Sequence, residues 1–256
     1  LEDVLRQIGA DIAVVDSQGE LTLARILHYL RGDARSAEIL VTPAPRNSRS
    51  NSLRHLAPRR EPAATGDLRD IPNIAFFDRT TLIRTAREVE SNDMDVFSED
   101  WSGVPPEHFV PTVVTRTARS CAFSCSFCRY PIMAGPLNLK SLQTIERQFD
   151  YFRECGVKQL VIIDDTFNVP LPRFKDLLRL MIRNKYEFEW FAYFRAANAD
   201  DDCYDLMQES RCGGVFLGIE SGDQTNLDNM HKSSRVDKYL HAIHELNKRH
   251  IVTFAS

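Results

Sequence analysis

The sequence predicts an α/β chain built on a parallel sheet and preceded by the tail of a second α/β domain. Three observations carry that prediction. From Pro111 to Ser256 short apolar runs alternate with helical patterns, and repeated βα units require crossovers, hence a parallel sheet that is open or closed into a barrel. Leu1 to about Gly32 reads helix, strand, turn, helix, a single unit that cannot cover both faces of a sheet. The composition is that of a globular chain: 256 residues, 43% hydrophobic and 27% charged, with material for a core in one or two domains.

Leu1–Ala10 has the pattern of an amphipathic helix, with charges at Glu2, Asp3 and Arg6. Ile12–Val15 is a short apolar run of buried-strand type, and Asp16–Glu20 supplies a turn. Leu21, Leu23, Ile26, Leu27 and Leu30 then recur at helical spacing. Residues 1–33 are therefore expected to be the remnant of a doubly wound, Rossmann-like domain. Residues 34–110 are expected to be a linker and connecting segment. Pro43, Pro45, Pro58 and Pro62 punctuate them, and the Arg46–Ser52 stretch has almost no aromatic neighbours to stack on bases. Within them, Ile71–Phe77 reads as a short docking segment and Asp100–Pro106 as a further connection.

Residues 111–256 carry candidate strands at Thr112–Arg116, Leu160–Asp164, Trp190–Phe194, Val215–Ile219 and Ile251–Phe254. One amphipathic helix between them presents Leu142, Ile145, Phe149 and Phe152, and another Val236, Tyr239, Leu240, Ile243 and Leu246. The chain starts on Leu1 rather than Met and stops inside what reads as a core strand. Both ends are therefore expected to be cut.

Lys and Arg number 32 against 36 Asp and Glu, a net charge of −4. That balance disfavours a nucleic-acid partner, and no apolar run has the length of a membrane span. The six cysteines fit a reduced, cytoplasmic protein better than a disulfide scaffold, because the chain is neither small nor cysteine-dense. Cys155, next to Gly156, and Cys212, next to the Gly213-Gly214 turn, read as small core residues, and Cys203 as core or surface.

Cys121, Cys125 and Cys128 are different. They form CxxxCxxC directly after the first strand of the βα series, at the sheet end where parallel α/β folds bind ligands. Three thiolates this close can wrap one soft metal centre. A 4Fe–4S cluster held by three cysteines keeps one iron open to a substrate or cofactor. Structural zinc asks for a fourth Cys or His, usually in paired CxxC knuckles, and none of Cys155, Cys203 and Cys212 forms such a pair.

The segment Arg119–Pro131, with Phe127 just before the third cysteine, resembles the cluster loop of the radical S-adenosylmethionine superfamily. Leu160–Phe167 resembles that family's second barrel strand and the acidic turn after it, and Phe216–Gly222 its "GIESG" strand ending, followed by Met230-His-Lys232. The resemblance covers Pro111 to Ser256 and implies a TIM-type (β/α)6 barrel, here partial, with its first five strands. It implies that Cys121, Cys125 and Cys128 hold a 4Fe–4S cluster. The open iron would chelate S-adenosylmethionine, which reductive cleavage turns into methionine and a 5′-deoxyadenosyl radical. It places Phe127, Asp164 or Asp165, and Glu220 or Ser221 at the cofactor; Arg195, closing the third strand, is by its own chemistry suited to pair with a substrate or cofactor carboxylate. The same residues admit plainer readings: the aspartates as a helix cap or turn, Glu220 as an ion pair, and Arg195 as the partner of a neighbouring acid.

The Gly9–Leu27 stretch extends the resemblance, looking like the closing unit of a cobalamin-binding domain. In the cobalamin-dependent subclass that domain precedes the radical barrel. The implied reaction is methylation of an unactivated carbon or phosphorus centre of a small molecule, with the cluster loop loosely like that of phosphinate P-methyltransferases. The implied electron donor is an external flavodoxin- or ferredoxin-type protein. A cobalamin-independent methylthiotransferase or cyclase, and a non-enzymatic iron–sulfur or structural metal domain, are the alternatives.

Overall fold

In the computed structural model, which describes residues 1–15, 18–31 and 67–256, the chain divides into two units, Leu1–Asn92 and Asp93–Ser256. Part of the turn expected at Asp16–Glu20, and the proline-punctuated stretch with Arg46–Ser52, lie outside the described residues.

In the first unit, helix α1 (Glu2–Ile8) closes on Gly9, whose φ of 66° is the left-handed cap that glycine adopts without a Cβ penalty. Strand β1 (Ile12–Val14) follows, then helix α2 (Glu20–Arg31). The partner of β1 comes from the stretch expected to be linker: β2 (Ile74–Asp78) pairs with it antiparallel and with β3 (Thr81–Arg84) as a hairpin. Ile71–Phe77, expected to dock, does so as this strand and the turn before it. Among the described residues every pairing in this three-stranded sheet is antiparallel, where a doubly wound unit would show parallel pairs.

The α2 pattern needs correction, because Leu23 and Leu30 are exposed while Thr22, Ala24, Ile26 and His28 are buried. The reason lies 68 residues away. The Glu90 carboxylate accepts hydrogen bonds from the N–H groups of Leu21 (3.0 Å) and Thr22 (2.9 Å) and from the Thr22 hydroxyl. An acceptor at a helix N-terminus satisfies orphan donors and complements the dipole. Here it also turns Thr22 inward and sets the rotation of the helix.

The second unit runs from Asp93. Strand β4 (Thr112–Thr115) leads into a short antiparallel pair, β5 (Ala118–Arg119) and β6 (Asn138–Leu139), with helix α3 (Tyr130–Ala134) between them. Then come α4 (Leu142–Cys155), β7 (Gln159–Ile162), α5 (Leu171–Arg183), β8 (Glu189–Phe194), α6 (Asp201–Glu209), β9 (Cys212–Leu217), α7 (Gln224–Asn229), α8 (Val236–Lys248) and β10 (Val252–Ala255). The five long strands form one sheet in the order β4-β7-β8-β9-β10, parallel throughout. This is the parallel βα arrangement that the periodicity predicts.

Burial alternates along the strands. Trp190, Ala192 and Phe194 pack under the helices, whereas Tyr193 is exposed. Tyr193, Phe216 and Phe254 stack across three strands on the other face, with ring centroids 5.2 and 4.9 Å apart. On the covered side Phe167 meets Phe174 (5.1 Å) and Trp190 (5.5 Å) edge to face, the geometry that aromatic quadrupoles favour.

Two expectations shift here. Cys212–Gly214, read as a turn, is the start of β9. A Cβ on Gly213 would stand 2.8 Å from the Phe191 ring, and one on Gly214 3.0 Å from the Val252 carbonyl, so the glycines allow close strand approach rather than a bend. Leu240, expected in the core, is exposed, and α8 buries Tyr239, Ala242 and Leu246 instead.

Burial pushes the Cys203 thiol up to about 12, and burial with the Asp150 carboxylate pushes the Tyr186 hydroxyl up to about 12. Both folded values lie above their unfolded ones, so this stability is complete below the unfolded pKa values and is lost as pH rises through the folded ones. The predicted Tm is level between about pH 7 and 8.5 and declines between about 9 and 12, with a shallower decline in Cys203→Ala. An identical decline in that variant would contradict the assignment.

Candidate metal centre

The cysteine loop begins where β4 ends, and its first residues are tied to the end of β7. Asp164 is 1% exposed. One of its carboxylate oxygens accepts the backbone N–H groups of Thr117 (2.7 Å) and Ala118 (2.9 Å), and the other accepts the Thr117 hydroxyl. Burial raises its pKa, while those donors and nearby Arg173 pull the other way. Arg173 donates to the carbonyls of Thr117 and Lys140, both at 2.9 Å. The Lys140 side chain, itself buried, donates to Glu99 (2.7 Å) and Gln148 (3.0 Å). Burial pushes the Glu99 carboxyl up, but the Lys140 ammonium and the hydrogen bonds from Lys140 and Gln148 outweigh it and hold the group below its usual range. The segment ahead of the barrel is thus fastened to the base of the loop through paired charges.

Asp164 therefore needs correction as a cofactor-pocket residue, since its oxygens are committed to the loop. Asp165, beside it, is exposed; partial burial raises its carboxyl, opposed by Arg116. Of the two aspartates it is the one turned to solvent.

Beyond the clamp, Ser120 adopts φ 72° immediately before Cys121. The Cys121 Sγ lies 3.7 Å from the Thr166 hydroxyl, just past the end of β7. Cys128 N–H donates to the Cys125 carbonyl (3.0 Å), closing a turn, and Ser126 N–H donates to the Met230 carbonyl (2.9 Å). The loop is therefore docked on the segment after α7. Glu220, His231 and Ser233, in the segments that receive it, also have positive φ, at 61°, 50° and 52°. Such conformations cost non-glycine residues on the order of 1–3 kcal/mol and gather at functional sites.

Both phenylalanines of the loop meet a cation. The Arg195 guanidinium, at the end of β8, lies 3.6 Å from the Phe123 ring centroid, and Lys232 Nζ lies 5.6 Å from that of Phe127. Phe127 is 53% exposed. Lys232 pairs with Glu220 at 2.9 Å, so Glu220 makes the ion pair that its plainer reading anticipates. Ser221, half-buried, accepts the Asp223 N–H at 3.1 Å. For Arg195 the structure shows no partner acid among the described residues; its Nη2 reaches the Ser233 carbonyl at 3.5 Å and its Nε is buried without a partner.

The donor set suits an iron–sulfur cluster: three free, half-buried thiols in one loop, with an unsatisfied buried cation beside it. Among the described residues no group of three or more Cys, His, Asp or Glu side chains is gathered closely enough to hold a metal ion, so the thiols share a loop without forming a closed ligand triangle. Cys203 and Cys212 are buried in the core, and burial holds both thiols well above their usual range. Thr117, Arg173, Phe123 and Lys232 escaped the sequence reading as site residues; only the last two stood within quoted motifs. A cavity of about 690 Å³ opens at the amino end of the strands, where Lys158, Glu189, Arg211 and Gly213 line it. It is remote from the loop.

The profile of the radical SAM superfamily matches residues 115–255, more than half of the chain. The chain belongs to the radical SAM superfamily. Members of this superfamily use a 4Fe–4S cluster and S-adenosylmethionine. An uncharacterised methyltransferase of Pyrococcus horikoshii is 26% identical over 141 residues, 54% of this chain and 31% of its own length. In fold, the chain is similar to TsrM of Kitasatospora setae, a radical S-adenosylmethionine methyltransferase solved with tryptophan substrate and a SAM analogue (TM-score 0.69, 15% identity, 98% of this chain and 46% of that one). It is also similar to OxsB, a cobalamin-dependent S-adenosylmethionine radical enzyme solved with aqua-cobalamin (TM-score 0.67, 14% identity, 99% and 34%). The radical SAM chain thus spans about a third of the curated relative and less than half of either solved structure. Among the described residues, no helix is long and apolar enough to cross a membrane.

In this radical SAM chain, Asp164→Ala leaves the Thr117 and Ala118 N–H groups unpaired and is predicted to cost about 2–4 kcal/mol in urea unfolding of the metal-free protein. Asp164→Asn, which keeps one accepting oxygen, is predicted to cost less than half as much. Equal losses in the two variants would contradict the clamp.

Proposed function

We propose that this chain forms the radical half of a cobalamin-dependent methyltransferase acting on an unactivated carbon or phosphorus centre of a small molecule. The observation that carries the reading is the docking of the CxxxCxxC loop at the carboxyl end of the parallel sheet, held by Asp164 below and by the Met230–Lys232 segment at the side. Likeness in fold to TsrM and OxsB over nearly the whole chain, and a curated relative named as a methyltransferase, support the subclass.

In this reading Cys121, Cys125 and Cys128 are the cluster ligands, and the absence of a fourth cysteine from the loop leaves one iron for S-adenosylmethionine. When bound, the reduced cluster supplies the electron that splits S-adenosylmethionine into methionine and a 5′-deoxyadenosyl radical. The chain's own residues bind and orient. Asp165, after β7, and Ser221, after β9, offer oxygen acceptors at strand ends on either side of β8, suited to ribose hydroxyls or an ammonium group. Glu220, already paired with Lys232, fixes the segment that Phe127 packs against. An external flavodoxin- or ferredoxin-type donor supplies electrons in the cytoplasm.

The test is anaerobic reconstitution of the full-length protein with iron and sulfide, then dithionite and S-adenosylmethionine. The predicted product is 5′-deoxyadenosine, joined by S-adenosylhomocysteine when cobalamin and substrate are present. Cys125→Ala is predicted to reduce deoxyadenosine to background; continued formation by that variant would overturn the ligand assignment. Full-length protein that makes deoxyadenosine but binds no cobalamin would overturn the methyltransferase reading while leaving the radical chemistry standing.

A further inference from the structure

Arg195 is the least explained charge in the radical unit. It is 8% exposed, its Nε has no hydrogen-bond partner, and among the described residues no carboxylate pairs with it. Lys232, Arg173 and Lys140 lie as close to the loop base or rim, yet Lys232 is paired with Glu220 and Lys140 with Glu99, and Arg173 spends its donors on two carbonyls and faces Asp164. A buried guanidinium without a counter-charge is costly, and replacing it by an apolar side chain of similar length is expected to be neutral or stabilising. Nor is Arg195 loosely placed. The Asn168 side chain, fully buried, accepts its backbone N–H (2.8 Å) and donates to its carbonyl (2.9 Å). The guanidinium rests on Phe123, the residue midway between Cys121 and Cys125.

We propose that the counter-charge of Arg195 is the thiolate-bound cluster itself, so that Arg195, held on Phe123, is a positioning residue that raises the reduction potential of the cluster. The inference rests on the radical-enzyme reading of the same loop. The electrostatics are direct. The oxidised cluster with three thiolates is an anion, one-electron reduction adds another negative charge, and a fixed, buried cation beside it stabilises the reduced form more than the oxidised form. Stacking on the ring keeps the cation in place, because the π-face attracts it while offering no hydrogen-bond acceptor strong enough to neutralise it.

The test uses Arg195→Met, which keeps an apolar stem over Phe123 and removes the charge, with Arg195→Lys as the charge-retaining variant. Each cluster-loaded protein is titrated electrochemically without S-adenosylmethionine, with reduced cluster followed by electron paramagnetic resonance and iron content matched. In Arg195→Met the ratio of reduced to oxidised cluster at a fixed potential is predicted to fall about tenfold, a shift of about 59 mV to more negative potential. Arg195→Lys is predicted to recover at least half of that shift. In urea unfolding the metal-free Arg195→Met protein is predicted to be at least as stable as wild type, which a residue needed only for packing would not be.

An unchanged potential in a folded, fully loaded Arg195→Met protein would overturn the proposal, as would a potential in Arg195→Lys as low as in Arg195→Met. A variant whose potential is unchanged and whose S-adenosylmethionine affinity alone falls would assign Arg195 to that ligand instead and overturn it equally. Wild-type protein that holds no cluster would remove the underlying reading, an outcome visible before any variant is compared.

Discussion

Asp164, buried at the carboxyl end of β7, accepts two backbone N–H groups and a hydroxyl from Thr117 and Ala118, and the rest of the cysteine loop inherits its position from that grip. A carboxylate has acceptor capacity only, so it suits a place where a chain leaving a strand presents donors with no ladder to satisfy them. The grip extends outward by charge: Arg173 binds the same residue's carbonyl, and Lys140 joins Glu99 to the loop base. Parallel strands aim their carboxyl ends at one surface, and this clamp is what converts that general property into a fixed launch point for three thiols.

Charges around the loop are a buried, fully used carboxylate, the cations Arg173 and Lys140 spent on carbonyls or a carboxylate, and a buried cation lying on each phenylalanine. The positive φ values at Ser120, Glu220, His231 and Ser233 show that backbone conformations disfavoured for side-chain-bearing residues are held on both sides of the loop. Such strain persists only where surrounding contacts over-determine it. Here the Ser126–Met230 hydrogen bond and the Glu220–Lys232 pair provide those contacts.

Much of this was readable in the chain. The spacing of Cys121, Cys125 and Cys128 needed no structure, and period-2 and period-3.6 patterns located the five parallel strands and the helix over Leu142–Cys155. What escaped depended on partners far apart in sequence. Asp164 and Asp165 are chemically identical neighbours, and only the loop 47 residues earlier separates their roles. Leu23 and Leu30 fit a helical stripe, but Glu90 capping α2 set its rotation. Gly213-Gly214 has the composition of a turn, yet the pair serves close packing under Phe191. Arg195 finds Phe123 across 72 positions, a pairing no local pattern encodes. The hairpin that completes the first sheet lies in a stretch whose prolines and polar residues suggested a connection carrying only a short docking segment at Ile71–Phe77.

Three thiolates without a fourth are meaningful only if one iron of the bound cluster differs from the other three. Mössbauer spectroscopy of the full-length protein reconstituted with iron-57, recorded with and without S-adenosylmethionine, measures that difference directly. The predicted result is that adding S-adenosylmethionine moves the spectrum of one iron in four to a larger isomer shift and leaves three unchanged. Four irons that remain equivalent and unmoved would contradict an open site at this loop.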